Sequence, residues 1–188
     1  MIIHRHLSRL HRLALPTPAI DRLAASLGKH LDDRFHFLAG VMSGGRAALD
    51  AVVVGPGGTW AISIHAERGR FRKRNGHWYR WNRATESWVP WQAESISAAR
   101  LAGHRLERYL ERAMLPSAVE ACLLTRRGVQ IEWEAGQRPG VRIEREPEDL
   151  AARIARDASL SAGQVERIVA LLDPRQPLPR LAGTARSA

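Results

Sequence analysis

The dipeptide Asn75-Gly76 constrains this chain more tightly than any other feature. Both residues tolerate positive φ, so the pair fits a two-residue hairpin turn whose twist matches that of paired strands. It joins Arg70-Phe71-Arg72-Lys73-Arg74 to His77-Trp78-Tyr79-Arg80-Trp81. Turn length fixes register, setting Arg74 opposite His77, Lys73 opposite Trp78, and Arg72 opposite Tyr79. Three short segments rich in strand formers precede it: Phe35 to Val41, Ala47 to Val54, and Thr59 to Ala66. Ser43-Gly44-Gly45 and Gly55-Pro56-Gly57-Gly58 supply the joints. The unbroken Val52-Val53-Val54 predicts a strand covered on both faces.

Helical spacing brackets these strands. Leu23, Leu27 and Leu31 predict a first helix from Ala19 to Leu31, opened by Pro16 and Pro18. After a loop holding Trp88, Pro90 and Trp91, the longest helix follows. Ile96, Ala99, Gly103, Leu106, Leu110 and Ala113 form its buried stripe, and Pro116 closes it. Val119 to Leu124, Val129 to Trp133 and Val141 to Arg145 read as strands, and Pro147 opens a helix through Ala158. Ser161 and Gln164 have capping-box spacing ahead of a last helix carrying Val165, Ile168, Val169 and Leu172. The order implies an α/β protein, with one central mixed sheet flanked by helices. A single domain spans residues 19–173. Residues 1–18 form a basic extension in which Leu7, Leu10, Leu13 and Leu15 suit a short amphipathic helix docked on the domain. The Pro-rich tail, 174–188, has no periodicity and reads as disordered.

Charge narrows the partners. The 188 residues hold 29 Lys+Arg against 19 Asp+Glu, a net charge of +10. Lys29 and Lys73 are the two lysines, leaving 27 arginines. Guanidinium stays charged and matches phosphate with a planar fork, although a coding bias toward arginine gives the same total. Position is more telling than the total. From Arg68 to Thr85 there is no acid, and Arg68, Arg70, Arg72, Lys73, Arg74, Arg80 and Arg83 concentrate more than half of the excess. Interleaved Phe71, Trp78, Tyr79 and Trp81 could stack on bases or cover the sheet. Nucleic-acid contact is one reading. The other is an edge hairpin whose charges protect it from pairing.

Several chemistries fall away. No apolar run approaches the roughly 18–20 residues of a membrane helix, and the first twenty residues lack the pattern of a secretory signal. A cytoplasmic location is therefore expected. Cys122, the single cysteine, excludes an internal disulfide and a Cys-rich zinc site, and its apolar flanks predict a buried thiol. No Gly-Lys-Ser/Thr or Gly-x-Ser-x-Gly occurs, and the glycines at 55, 57 and 58 join two strands instead of opening a helix. The close pair His4-x-His6 lies in the leader, where metal binding is more often adventitious than designed.

The run Ala48-Leu49-Asp50-Ala51-Val52-Val53-Val54-Gly55-Pro56-Gly57-Gly58-Thr59-Trp60-Ala61-Ile62-Ser63-Ile64-His65 resembles the centre of the nuclease-related domain (NERD) family. Gly69 to Trp78, Pro90-Trp91-Gln92, and the helix from Leu160-Ser161 to Leu172 extend the similarity over roughly residues 19–172. The resemblance implies a restriction-endonuclease-like fold with an Asp…Glu-x-Lys site. In such a site carboxylates hold Mg²⁺, the metal activates water, and the Lys assists the nucleophile. Asp50 matches the family Asp, whereas the Glu and Lys positions are Ser63 and His65. The acid of the family's N-terminal helix is at best shifted onto Asp21. The expectation is a degenerate catalytic site that binds no metal, on a protein that contacts nucleic acid, DNA before RNA. Two alternatives stand beside it. One is an active nuclease with a rearranged site of Asp50, His65 and Glu67, taking Mn²⁺ or another metal that accepts imidazole. The other is an interaction or scaffold module for an acidic protein.

Overall fold

The computed structural model describes residues 1–5, 18–42, 49–65, 67–115, 117–126, 128–133, 140–156 and 159–173. The predicted leader helix at Leu7–Leu15 and the tail beyond 173 lie outside them.

The main sheet begins at the chain's first residues. Strand β1 (Ile2–Arg5) runs parallel to β2 (His36–Val41), with α1 (Pro18–Leu27) between them in sequence. β2, β3 (Leu49–Gly55) and β4 (Gly58–Ile64) then form an antiparallel meander. A second layer of chain interrupts the sheet here. β5 (Arg70–Arg74), β6 (His77–Asn82) and β7 (Ser87–Pro90) precede the long helix α2 (Glu94–Arg112). The chain re-enters the main sheet at β8 (Val119–Leu124), parallel to β4, and again at β10 (Arg142–Glu144), parallel to β8. Between them β9 (Gln130–Glu132) joins β5 in parallel. Helices α3 (Pro147–Ile154) and α4 (Ala162–Leu172) finish the described chain. The sheets are a six-stranded β1-β2-β3-β4-β8-β10 and a four-stranded β7-β6-β5-β9.

The main sheet is mixed and covered on both sides, as an α/β chain requires. Val53, Trp60 and Ile62 pack with Leu23 and Leu27 of α1 and Leu150 and Ile154 of α3. Val52, Val54 and Ala61 pack with Leu106 and Leu110 of α2 and Val165 and Ile168 of α4. The three valines are all fully buried. Cys122 is buried as expected, and burial pushes its thiol pKa up to about 12.

Local signals account for most boundaries. Pro18 opens α1, where a missing N–H costs nothing. Ser161 Oγ accepts from the Gln164 N–H while the Gln164 side chain accepts from the Ser161 N–H, completing the capping box of α4. The N–H groups of Met114 and Leu115 return to the carbonyls of Glu111 and Leu110, a Schellman closure of α2. Its left-handed position is Met114, at φ 57°.

Six expectations need correction. The described residues form two sheets and not one: β5, β6 and β7 pair among themselves, and β9 joins β5 from 60 residues away. Ser87–Pro90 is strand β7 and not loop, with Pro90 ending an edge strand where its missing N–H leaves no ladder gap. Residues 2–5 of the leader are the edge strand of the main sheet, not an appendage upon it. The first helix ends at Leu27, and Leu31 reaches the core from the turn that follows. The α3 helix stops at Ile154 and β4 at Ile64.

Candidate nucleic-acid interface and second candidate site

The Asn75-Gly76 turn has φ values of 50° and 78°, as a hairpin turn with two left-handed residues demands. The register follows: Arg74 faces His77, Lys73 faces Trp78, Arg72 faces Tyr79, and Phe71 faces Arg80. Alternation then sorts the charged block into two faces. Phe71 and Trp78 turn inward. Phe71 lies 4.4 Å from Trp91, and Trp78 lies 5.9 Å from Trp91 and 4.9 Å from Trp133. Together with Ala93, Ile96 and Leu123 this cluster fixes the small sheet against α2 and β8.

The opposite face carries Arg70, Arg72, Arg74, Tyr79 and Trp81, with Trp88 brought alongside by the Trp81–Trp88 pairing of β6 and β7. The Arg72 guanidinium lies 4.1 Å from the Trp88 ring centre, and Arg70 lies 5.5 Å from Trp81. Cation–π attraction of this kind favours an arginine lying flat on an indole. Glu132 of β9 braces both arginines, accepting from Arg72 Nε at 2.9 Å and from Arg70 at 3.2 Å. Those bonds, Arg72's first, hold its carboxyl below the usual range. Trp88 and Glu132 are the residues that sequence reading missed. The alternation Ser87-Trp88-Val89-Pro90 signals the first; the second has no local signal, since its partners lie 60 and 62 residues away.

The other charges scatter around this face. Lys73 is half-buried on the inner side. Arg80 pairs with Glu67 at 3.6 Å and donates to the Arg68 carbonyl. Arg68, Arg70, Arg80 and Arg83 line one open cleft of about 750 Å³ with Trp81 and Asn82. The six arginines thus form an arginine-lined cleft continuous, through Arg70 and Trp81, with an arginine–aromatic sheet face, and Lys73 lies on the other side of the sheet.

The positions marked by the resemblance lie elsewhere. Ala51 stands opposite Ile62, so Asp50 and Ser63 come together one residue further along. Both line a cavity of about 290 Å³ against α2, with Ser95, Ala98, Leu101 and Arg105. Ser95 Oγ is buried there without a hydrogen-bond partner among the described residues. Asp50 Oδ2 accepts the Ile64 N–H at 2.8 Å. Burial pushes its pKa up, and the Ile64 amide only partly offsets this. Among the described residues no arginine pairs with Asp50, and its carboxylate takes the Ile64 amide instead.

His65 does not join them. Past the end of β4, its backbone N–H donates to the Leu124 carbonyl while its ring lies edge-on to Phe71 and Trp91. The ring is buried, and burial lowers its pKa. Glu67 is turned to Arg80, and Asp21 belongs to α1, which packs on the other side of the sheet. Among the described residues no three His, Cys, Asp or Glu side chains are grouped to hold a metal. A single carboxylate beside a serine does not fit the hard-cation set implied by the resemblance. The triad of Asp50, His65 and Glu67 is not assembled either.

No helix among the described residues is long and apolar enough to cross a membrane. Comparison of the chain with protein-family models, curated proteins and solved structures finds no match.

Proposed function

We propose that this chain is a catalytically degenerate relative of the nuclease-related domain, built on a restriction-endonuclease-like fold, that binds nucleic acid. The observation that carries the binding reading is the alignment of Arg70, Arg72 and Arg74 with Tyr79, Trp81 and Trp88 on one face of the small sheet. Guanidinium groups suit phosphate, and half-exposed rings suit bases. The family reading draws support from Asp50 and Ser63, which occupy neighbouring strands on the α2 side of the main sheet. Degeneracy follows from the chemistry of that pair. DNA is the expected polymer, the cytoplasm the expected compartment, and no metal is required for binding.

The test is binding to DNA at increasing salt. Affinity that falls steeply with ionic strength, and collapses when Arg72, Lys73 and Arg74 are all changed to Glu, supports the reading. Unchanged affinity in that triple variant overturns it. Incubation with Mg²⁺ or Mn²⁺ is expected to leave DNA intact. Cleavage that vanishes in Asp50→Ala would reinstate the nuclease, and a co-purifying acidic protein without DNA affinity would favour the scaffold.

A further inference from the structure

A duplex and a single strand ask different things of a binding surface. Duplex DNA hides its base faces and offers phosphates and groove edges. A single strand offers phosphates along one track and unstacked bases that need a π-surface. The small sheet supplies both in adjoining places. Its cleft gathers Arg68, Arg70, Arg80 and Arg83, although Arg80 is partly engaged by Glu67. Its outer face holds the rings of Tyr79, Trp81 and Trp88, each half-buried and so partly open to solvent. Arg70 and Trp81 belong to both.

We infer that this surface selects single-stranded nucleic acid over duplex, with phosphates along the arginine cleft and bases stacked on the Trp81–Trp88 face. The inference rests on the nucleic-acid reading above and specifies which form of the polymer is bound. Trp81 and Trp88 lie 5.4 Å apart at 67°, so their rings present an edge-to-face pair and not a closed stack. Arg72 lies over Trp88, and its Nε is tied to Glu132. A guanidinium plane held this way can itself receive a base. An arginine track for duplex DNA would need no tryptophans beside it. Glu132 on the same face offsets part of the Arg70 and Arg72 charge, which favours bases here and puts most of the phosphate track in the cleft.

Binding is measured by anisotropy with labelled oligo-dT, oligo-U and a duplex of equal length, each at two salt concentrations. The wild-type protein is expected to prefer the single strands roughly tenfold or more. Trp88→Ala and Trp81→Ala are each expected to weaken single-strand binding by about five-fold or more, and duplex binding by less, so that the preference for single strands narrows. Trp88→Phe, which keeps a ring, should recover most of the loss, and quenching of tryptophan fluorescence by oligo-dT reports stacking without any variant. Equal affinity for duplex and single strand, or no quenching, overturns the inference while leaving nucleic-acid binding intact. Salt-insensitive or absent binding to all three probes overturns the underlying reading as well.

Discussion

His4 and Asp173, 169 positions apart, are joined by a hydrogen bond of 2.9 Å from His4 Nδ1 to Asp173 Oδ2. His4 Nε2 lies 3.0 Å from His36 Nδ1, so one imidazole links an edge strand, its neighbour, and the end of the last helix. Both His4 and Asp173 are buried. Removing the carboxylate leaves a buried imidazole N–H without its acceptor. Asp173→Ala is expected to cost about 1–3 kcal/mol in urea unfolding. Asp173→Asn keeps an acceptor and should cost less. If Asp173→Ala melts like the wild type, the bond does not hold β1 in place.

Acid should loosen the fold through two histidines. Burial lowers the pKa of His36 and His65 below 6.5, and for His36 the charge of His4 adds to the effect. The unfolded chain then binds these protons first. Their contribution to stability is complete above about pH 6.5 and is lost as pH falls through the folded values. Asp50 acts in the opposite sense, since its pKa is raised by burial. Its contribution is present below about pH 4 and is lost as pH rises through its folded value. His65→Phe should flatten the decline in melting temperature between about pH 7 and pH 5. Asp50→Asn, which retains an acceptor for the Ile64 N–H, should raise stability at neutral pH. An unaltered profile in His65→Phe would assign the acid sensitivity to His36.

Gly103 permits the approach of α2 to β8. A Cβ at this position would sit 2.7 Å from the Ala121 Cβ. Gly103→Ala gains about 0.8–1 kcal/mol of helix propensity but meets overpacking of about 1–3 kcal/mol. The net expectation is destabilisation, relieved by adding Ala121→Gly. Denaturant midpoints of the two variants decide it, and a single variant more stable than the wild type would show that the helix can shift.

Met114 occupies the left-handed position that closes α2, at φ 57°, with its side chain exposed. A non-glycine residue pays about 1–2 kcal/mol for that conformation. Met114→Gly is expected to raise stability by about 1 kcal/mol without disturbing any contact. A loss of stability instead would mean that the Met114 side chain contributes packing.

What was legible in the chain followed from local chemistry. Asn75-Gly76 supplied both the turn and the register, because two left-handed residues leave strands only one way to pair. The α2 stripe and the Ser161–Gln164 cap were equally local. Partners distant in sequence were not legible. Leu7 to Leu15 drew attention toward a helix while Ile2–Arg5 entered the sheet, and nothing near Gln130–Glu132 marks β5 as its neighbour. At the candidate site, strand alternation correctly brings Ser63 beside Asp50. The same alternation fails for His65, because pairing ends at Ile64 and the ring falls among Phe71 and Trp91.

The brace between Glu132 and the hairpin arginines has a kinetic side. Residues 70–82 can zip locally, but β9 reaches β5 only after a loop of some 60 residues closes. Contacts of such separation carry a large closure entropy and form late. The nascent chain therefore displays its arginines before it aligns them. A peptide spanning the hairpin would keep the charge and the turn, yet lack the carboxylate that holds Arg70 and Arg72 in one row.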